Sequence, residues 1–405
     1  MIANKIFQKL GLHMSPATQH NLYSDFGAAC LFSLFNVVFN QFYIALAIRQ
    51  GATNLEVGIL AAAPAIGLLF SPIWAARIEQ SSPKPYVILP NLIGRVLLLF
   101  PAFFGAPIVY VVTALVFQFL MGIQAPAYAA LVTRMYQPEL RGRLMGYVRV
   151  AMGAIMIPLA YLVGSWTDKS GPSGPLIAAV ITGVLSILSL ARVKEIGSTT
   201  KATTRRSSFK EQLKLVREHR ELMVFFAATT LTGFGNILAS PLFQIIQVKE
   251  LHLNNIEIGI TRISYYFCLL TAYFVVGWVI DRFSAKQTLI YGLGAFTIVP
   301  LLYGIFGNYP AVIIGSGIQG IGDAIWDIGI LAYVLRVVPG REAVVFGMHL
   351  MLFGIRGSIG PLLSTGLSNY IPISGLLIAA SIFGMVGTLI LLMEKGKQLT
   401  KSEDV

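Results

Sequence analysis

Charge and cysteine are scarce in this chain of 405 residues. Asp, Glu, Lys and Arg together supply 12% of it, about half the share found in a soluble domain. The two cysteines, Cys30 and Cys268, both sit in apolar runs, which excludes a disulfide framework, a CxxC redox motif and a Cys/His metal cluster. Phosphate-binding and hydrolytic signatures are missing too: there is no P-loop, no HExxH and no GxSxG. An ATP-driven pump within this chain is excluded, no enzymatic activity and no cofactor are expected, and uphill work must draw on a gradient. No cleavable leader is expected, because residues 1–21 carry Lys5 and Lys9 and lack an apolar core ending in small residues. What the chain has instead is apolar bulk, 56% hydrophobic residues with a mean hydropathy of +0.73. A soluble fold cannot bury that much apolar surface, whereas a bilayer requires it outside.

Twelve segments are apolar and long enough to cross the hydrocarbon as helices: residues 26–48, 55–76, 85–104, 107–132, 144–166, 175–193, 222–247, 257–280, 287–306, 309–334, 343–366 and 373–393. The short alternating runs of an outer-membrane barrel are not there. Of the 30 Lys and Arg residues, 23 lie in the N-terminal stretch, the even-numbered loops and the C-terminal tail. The odd-numbered loops hold Arg49, Lys169 and Lys249. By the positive-inside rule this predicts cytoplasmic N and C termini, and it accounts for the net charge of +12 without nucleic acid as a partner.

The expected organisation is a six-helix bundle over 1–191, a basic cytoplasmic linker over 192–220, a second six-helix bundle over 221–393 and a tail over 394–405. Within the linker, Phe209 to Val216 reads as a short amphipathic helix, and Ser207 and Ser208 as modification sites or simply as part of a solvated, lipid-anchoring stretch.

The two bundles are related by an internal repeat. Asn54-Leu-Glu-Val-Gly-Ile59 returns as Asn255-Ile-Glu-Ile-Gly-Ile260, a shift of 201 residues that also places Gln118 on Gln319 and Gly153 on Gly354. Six helices is an even number, so the copies enter the membrane in the same direction and form parallel halves. Following the eighth segment stands Gly277-Trp-Val-Ile-Asp281-Arg282-Phe-Ser-Ala-Lys286. It resembles the loop signature Gly-x-x-x-Asp-Arg-x-Gly-Arg-Lys of the major facilitator superfamily (MFS), with Ser284 and Ala285 departing from it. In the first half the equivalent loop keeps Arg77 but has Ala76 at the acidic position. The resemblance implies an all-α polytopic MFS fold, a multi-pass location in the cell (inner) membrane, and gating roles for Gly277, Asp281, Arg282 and Arg77. It also implies that the first, fourth, seventh and tenth helices line the substrate path. The Gly-Pro run of drug antiporters is not met in the fifth helix, which reads Gly153-Ala-Ile-Met-Ile-Pro158.

Ionisable groups inside a span are costly unless paired or wetted, which makes them the first functional candidates. Asp323 and Asp327 are four residues apart and share one face of the tenth segment with Gln319. Arg356, in the eleventh segment at a similar depth, is the expected partner of Asp323, as static glue or as a pair that exchanges on protonation. Asn36 and Asn236, with Gln118 and Gln319, put neutral amides on the four expected path helices. Arg95, on the third segment, reads as local packing or as a path residue. Arg149 and Arg262 read as anchors near a membrane face, and His349 as an interface histidine.

These residues predict a secondary transporter that moves a small-molecule substrate by alternating access, as a monomer in contact with membrane lipids. Proton-coupled symport or antiport, uncoupled uniport and anion exchange all stay open. A binding or signalling protein on the same fold is the competing class.

Overall fold

In the computed structural model, residues 14–78, 81–196, 216–282, 284–337 and 342–394 are described, and they are helical nearly throughout. The helices are α1 (Pro16–Arg49), α2 (Asn54–Leu69, followed by Ser71–Ile78), α3 (Lys84–Phe103), α4 (Pro107–Met135), α5 (Pro138–Ser170) and α6 (Ser173–Leu190). Then come α7 (Arg220–Glu250), α8 (Asn255–Arg282), α9 (Ala285–Phe306), α10 (Tyr309–Val337), α11 (Glu342–Leu367) and α12 (Ile373–Met393). Among the described residues, 11 helices are long and apolar enough to cross a membrane. α10, several of whose side chains lie outside the described residues, is not among them. The linker helix expected at Phe209 to Val216, with Ser207 and Ser208, falls outside the described residues apart from Val216.

Local sequence sets the helix starts. α1 begins about ten residues before the expected 26, because Ser15 is extended and accepts the Thr18 amide while Pro16 supplies a preset first turn. The repeated Asn-x-Glu-x-Gly motif is a duplicated start signal. In α2, Thr53 and Glu56 form a capping box: the Glu56 carboxylate accepts the Thr53 amide at 2.8 Å and the Thr53 hydroxyl accepts the Glu56 amide at 3.2 Å. In α8, Asn254 and Glu257 repeat it at 2.7 and 2.8 Å. Both α1 and α7 carry a π-helical stretch, Val37–Phe42 and Ile246–Glu250, an irregularity found preferentially at functional positions.

The chain divides into two compact units, Met1–Thr203 with Gln244–Tyr266, and Thr204–Phe243 with Phe267–Val405. The end of α7 and the start of α8 therefore belong with the first unit. In that unit α1 packs on α5 and α6, and α4 packs on α2 and α3. Leu22, Ile78, Val87, Leu131, Met135, Leu144 and Val193 close one end of it. In the second unit α9 packs on α10 and α12, with Leu222, Phe225, Leu289, Tyr333, Val334 and Leu391 in its core. Lipid is as apolar as these side chains, so burial as such drives little helix association here, and close packing decides instead. Gly259 shows how close. A Cβ at that position would stand 2.6 Å from the Ala160 carbonyl oxygen of α5, and the carbonyl of Asn255 blocks a Cβ at Gly164 in the same way.

Candidate functional site

In the second unit the polar stripe of α10 is partnered. Gln319 Nε2 donates to Asp323 Oδ1 at 3.4 Å, and one turn further on Tyr273 of α8 donates its hydroxyl to Asp327 Oδ2 at 2.6 Å. Asp323 is half-buried and Asp327 exposed, so this stripe stays open while α10 presents Ala324 and Ile325 to the unit's core. Tyr273 is a member of the site that sequence patterning missed, since a tyrosine in an apolar helix carries no signal of its own. Asn236 of α7 is half-buried in the same unit.

Arg356 has partners other than the one expected. The residue is 4% exposed, and its guanidinium donates from Nη1 to the Thr229 carbonyl at 2.8 Å and lies over the rings of Trp326 at 5.6 Å and Phe353 at 5.8 Å. Gly233 makes room, because a Cβ there would meet the guanidinium carbon at 2.6 Å. Among the described residues, no carboxylate lies within salt-bridge distance of Arg356. The physical reason is the aromatic shelf: Trp326 and Phe353 hold the flat guanidinium against α7, where a backbone carbonyl accepts from it. His349, two turns before Arg356, is also buried and packs against Phe225 and Trp326.

In the first unit the π-helical stretch of α1 brings Gln41 to Tyr266 of α8, Nε2 to hydroxyl at 2.9 Å. The same hydroxyl donates to Asn36 Oδ1 at 3.4 Å. Asn36 thus joins a cluster of three, and Gln118 of α4 is half-buried in the same unit. Arg95 is buried among α1, α3 and α6, where it donates to the Gly183 carbonyl and lies 4.9 and 4.8 Å from the rings of Phe32 and Phe35. These are packing contacts. Arg149 is exposed and Arg262 half-buried.

The gating residues predicted by the loop signature lie at helix ends. Arg77 and Arg282 are exposed at the ends of α2 and α8, and at Gly277 and Asp281 only the helical backbone is described. A polar latch at the opposite end of the first unit was not foreseen. Asp168 of α5 takes the Asn255 amide at 3.1 Å, the Asn255 side-chain nitrogen at 2.6 Å and the Ile256 amide at 3.0 Å, and so satisfies the start of α8. Arg49 donates Nε to Asn255 Oδ1 at 3.1 Å and also reaches the Leu253 carbonyl. Lys249 donates to the Ala52 carbonyl at 3.1 Å and to Asn54 Oδ1 at 2.9 Å. All three basic residues of the odd-numbered loops were legible as exceptions to the charge pattern, and two of them hold this latch.

Such an arrangement, long apolar helices with amides and acids kept inside them, defines a polytopic helical membrane protein. The sequence profile described as Major Facilitator Superfamily matches residues 26–230 and 225–404, and the chain belongs to that family. It is similar to the multidrug efflux pump SdrM of Staphylococcus aureus (strain N315), 30% identical over 129 residues. That match covers 30% of this chain and 27% of SdrM. Its fold is similar to the crystal structure of the nucleoside transporter NupG, with a TM-score of 0.70 and 12% identity over 93% of this chain and 98% of that one. A POT family transporter in complex with 5-aminolevulinic acid gives a TM-score of 0.70 and 12% identity over 93% and 95%. Membership makes the chain a non-enzymatic membrane transporter.

Proposed function

We propose that the chain is a secondary active transporter of the cell membrane, which moves a small solute by alternating access and couples that movement to protons. The observation that carries this reading is the α10 stripe: two carboxylates one turn apart, one held by Gln319 and one by Tyr273, on a membrane helix where an idle acid would be costly. A carboxylate in such a setting can exchange a proton for a substrate contact, which is the differential interaction that coupling needs. Asn36, Gln118 and Asn236 supply neutral hydrogen-bonding groups on α1, α4 and α7, while Arg356 and Arg95 hold their helices. At the helix ends, Asp281, Arg282, Gly277 and Arg77 act as the cytoplasmic gate. The 23 basic residues concentrated in alternate loops support cytoplasmic termini and twelve crossings.

The substrate is a solute small enough for a helix-bundle path, handled by a monomer. SdrM is named as a multidrug efflux pump, NupG as a nucleoside transporter, and these widely different cargoes support the mode of action more than any one substrate. A thermal-shift screen of nucleosides, peptides, organic cations and organic acids on the purified protein tests the reading. A ligand at a hundred times its Kd stabilises by about 2.7 kcal/mol. The reading expects a hit whose shift is lost in Asp327→Asn and Gln319→Ala. Hits that shift both variants as they shift the parent would remove the α10 stripe from the site.

A further inference from the structure

The most deeply buried carboxylate on the page is outside the α10 stripe. Asp25 of α1 is 5% exposed, nine residues and about 14 Å along the helix from Pro16, between Leu22 and Ala28 of the apolar core at that end of the unit. Its Oδ2 accepts the Tyr136 hydroxyl at 2.7 Å. Among the described residues no lysine, arginine or histidine lies within salt-bridge distance of it. A permanently charged carboxylate with one donor and, among the described residues, no cation in reach is a poor structural element at such a buried position.

The groups around it fit a proton that comes and goes. From the turn between α4 and α5 comes Tyr136, 2% exposed, whose phenol is pushed up by burial and by the Asp25 carboxylate, so that it keeps its own proton and serves as donor only. From α4 comes Tyr128, within electrostatic reach of both Asp25 and the exposed Arg149 of α5. α6 contributes only hydroxyls, with Ser189 donating to the Ser24 carbonyl at 2.9 Å. On α1 itself His20 is turned to the Arg192 carbonyl. One turn from Asp25 toward the helix start, Asn21 closes the way. It donates to the Met135 carbonyl at 2.9 Å and the Lys194 carbonyl at 2.7 Å, and accepts the Lys194 amide at 2.7 Å.

We propose that Asp25 is a proton-binding site of the first unit, with Tyr136 as its positioning donor and the Asn21 bridge as the barrier to water. The proton arrives from water, forms an O–H bond at the carboxyl group while Tyr136 keeps its hydrogen bond, and returns to water when the Asn21 bridge opens. Its use in transport rests on the proton-coupled reading above, whereas the binding of the proton does not.

Infrared difference spectroscopy of the purified protein in lipid vesicles, titrated with pH and with no substrate added, reads this directly. The carbonyl band of a protonated carboxylic acid should rise and fall reversibly in the parent and be lost in Asp25→Asn. It should persist in Tyr136→Phe at a higher frequency, because the carbonyl has lost its donor, and this variant keeps the carboxyl should Asp25→Asn fold poorly. Asp323→Asn removes any band that Asp323 itself contributes and should leave in place the component that shifts in Tyr136→Phe. A band unchanged in both Asp25→Asn and Tyr136→Phe, or one lost only in Asp323→Asn, would overturn the proposal. Should the band behave as expected while a pH gradient drives no accumulation, the proton site stands and the coupled reading falls.

Discussion

Asp168 of α5 holds the first turn of α8 by accepting both the amide and the side-chain nitrogen of Asn255, at 3.1 and 2.6 Å. A carboxylate on free amides at a helix start is a charge-assisted cap, and losing a cap costs about 0.5–2 kcal/mol. Asp168→Ala should therefore loosen segment Gln244–Tyr266 from its unit. In a background lacking Cys30 and Cys268, a cysteine at Gln41 should react up to about tenfold faster with an impermeant thiol reagent added to intact cells. An unchanged rate would mean that the latch is no barrier.

Replacing Asn21 tests a different junction. Its three hydrogen bonds tie α1 to the end of α4 and to the segment after α6 with no exposed surface. Asn21→Ala leaves buried backbone groups unpaired, at about 1–3 kcal/mol each before water enters. The melting temperature should fall by roughly 5 °C or more, a decrease of the size expected for a few kcal/mol. Asn21→Asp should fare no better, since two donors are lost and a charge is added.

Arg356 and Asp323 should behave as independent residues. Arg356 is bound to Thr229 and to two aromatic rings and, among the described residues, has no acid in salt-bridge reach. A double-mutant cycle of Arg356→Met and Asp323→Asn, read as thermal stability, should give a coupling below about 0.5 kcal/mol. Arg356→Met alone should destabilise by about 1.5–3 kcal/mol, because it removes the charge-assisted bond to the Thr229 carbonyl. A coupling of several kcal/mol would restore the ion pair that the sequence suggested.

That pair shows where sequence reading stops. Hydropathy, charge counting and the 201-residue repeat were enough for a helical membrane protein, because the bilayer imposes length and composition on every span, and the resemblance of the loop Gly277 to Lys286 pointed to its superfamily. The hexapeptide that first shows the repeat has a local structural role, since it carries the glutamates of the capping boxes Thr53/Glu56 and Asn254/Glu257. Side-chain partners were another matter. Equal depth on neighbouring helices brought Asp323 and Arg356 together on paper, but rotation about the helix axis decides who meets whom, and Trp326 and Gly233 turned the guanidinium to α7. Asp25 was passed over because it falls one residue before the first apolar run, although α1 had already begun at Pro16. The latch joins residues some 200 positions apart, such as Arg49 and Asn255, so no local pattern could announce it.

The central claim is that the α10 carboxylates couple transport to protons, and one variant tests it most directly. Asp323→Asn keeps volume and polarity but cannot change charge. In proteoliposomes with a substrate found by thermal shift, exchange of labelled for unlabelled substrate should continue at close to the parental rate. Accumulation driven by an imposed pH gradient should be abolished. Gradient-driven accumulation at the parental level in Asp323→Asn would contradict the account.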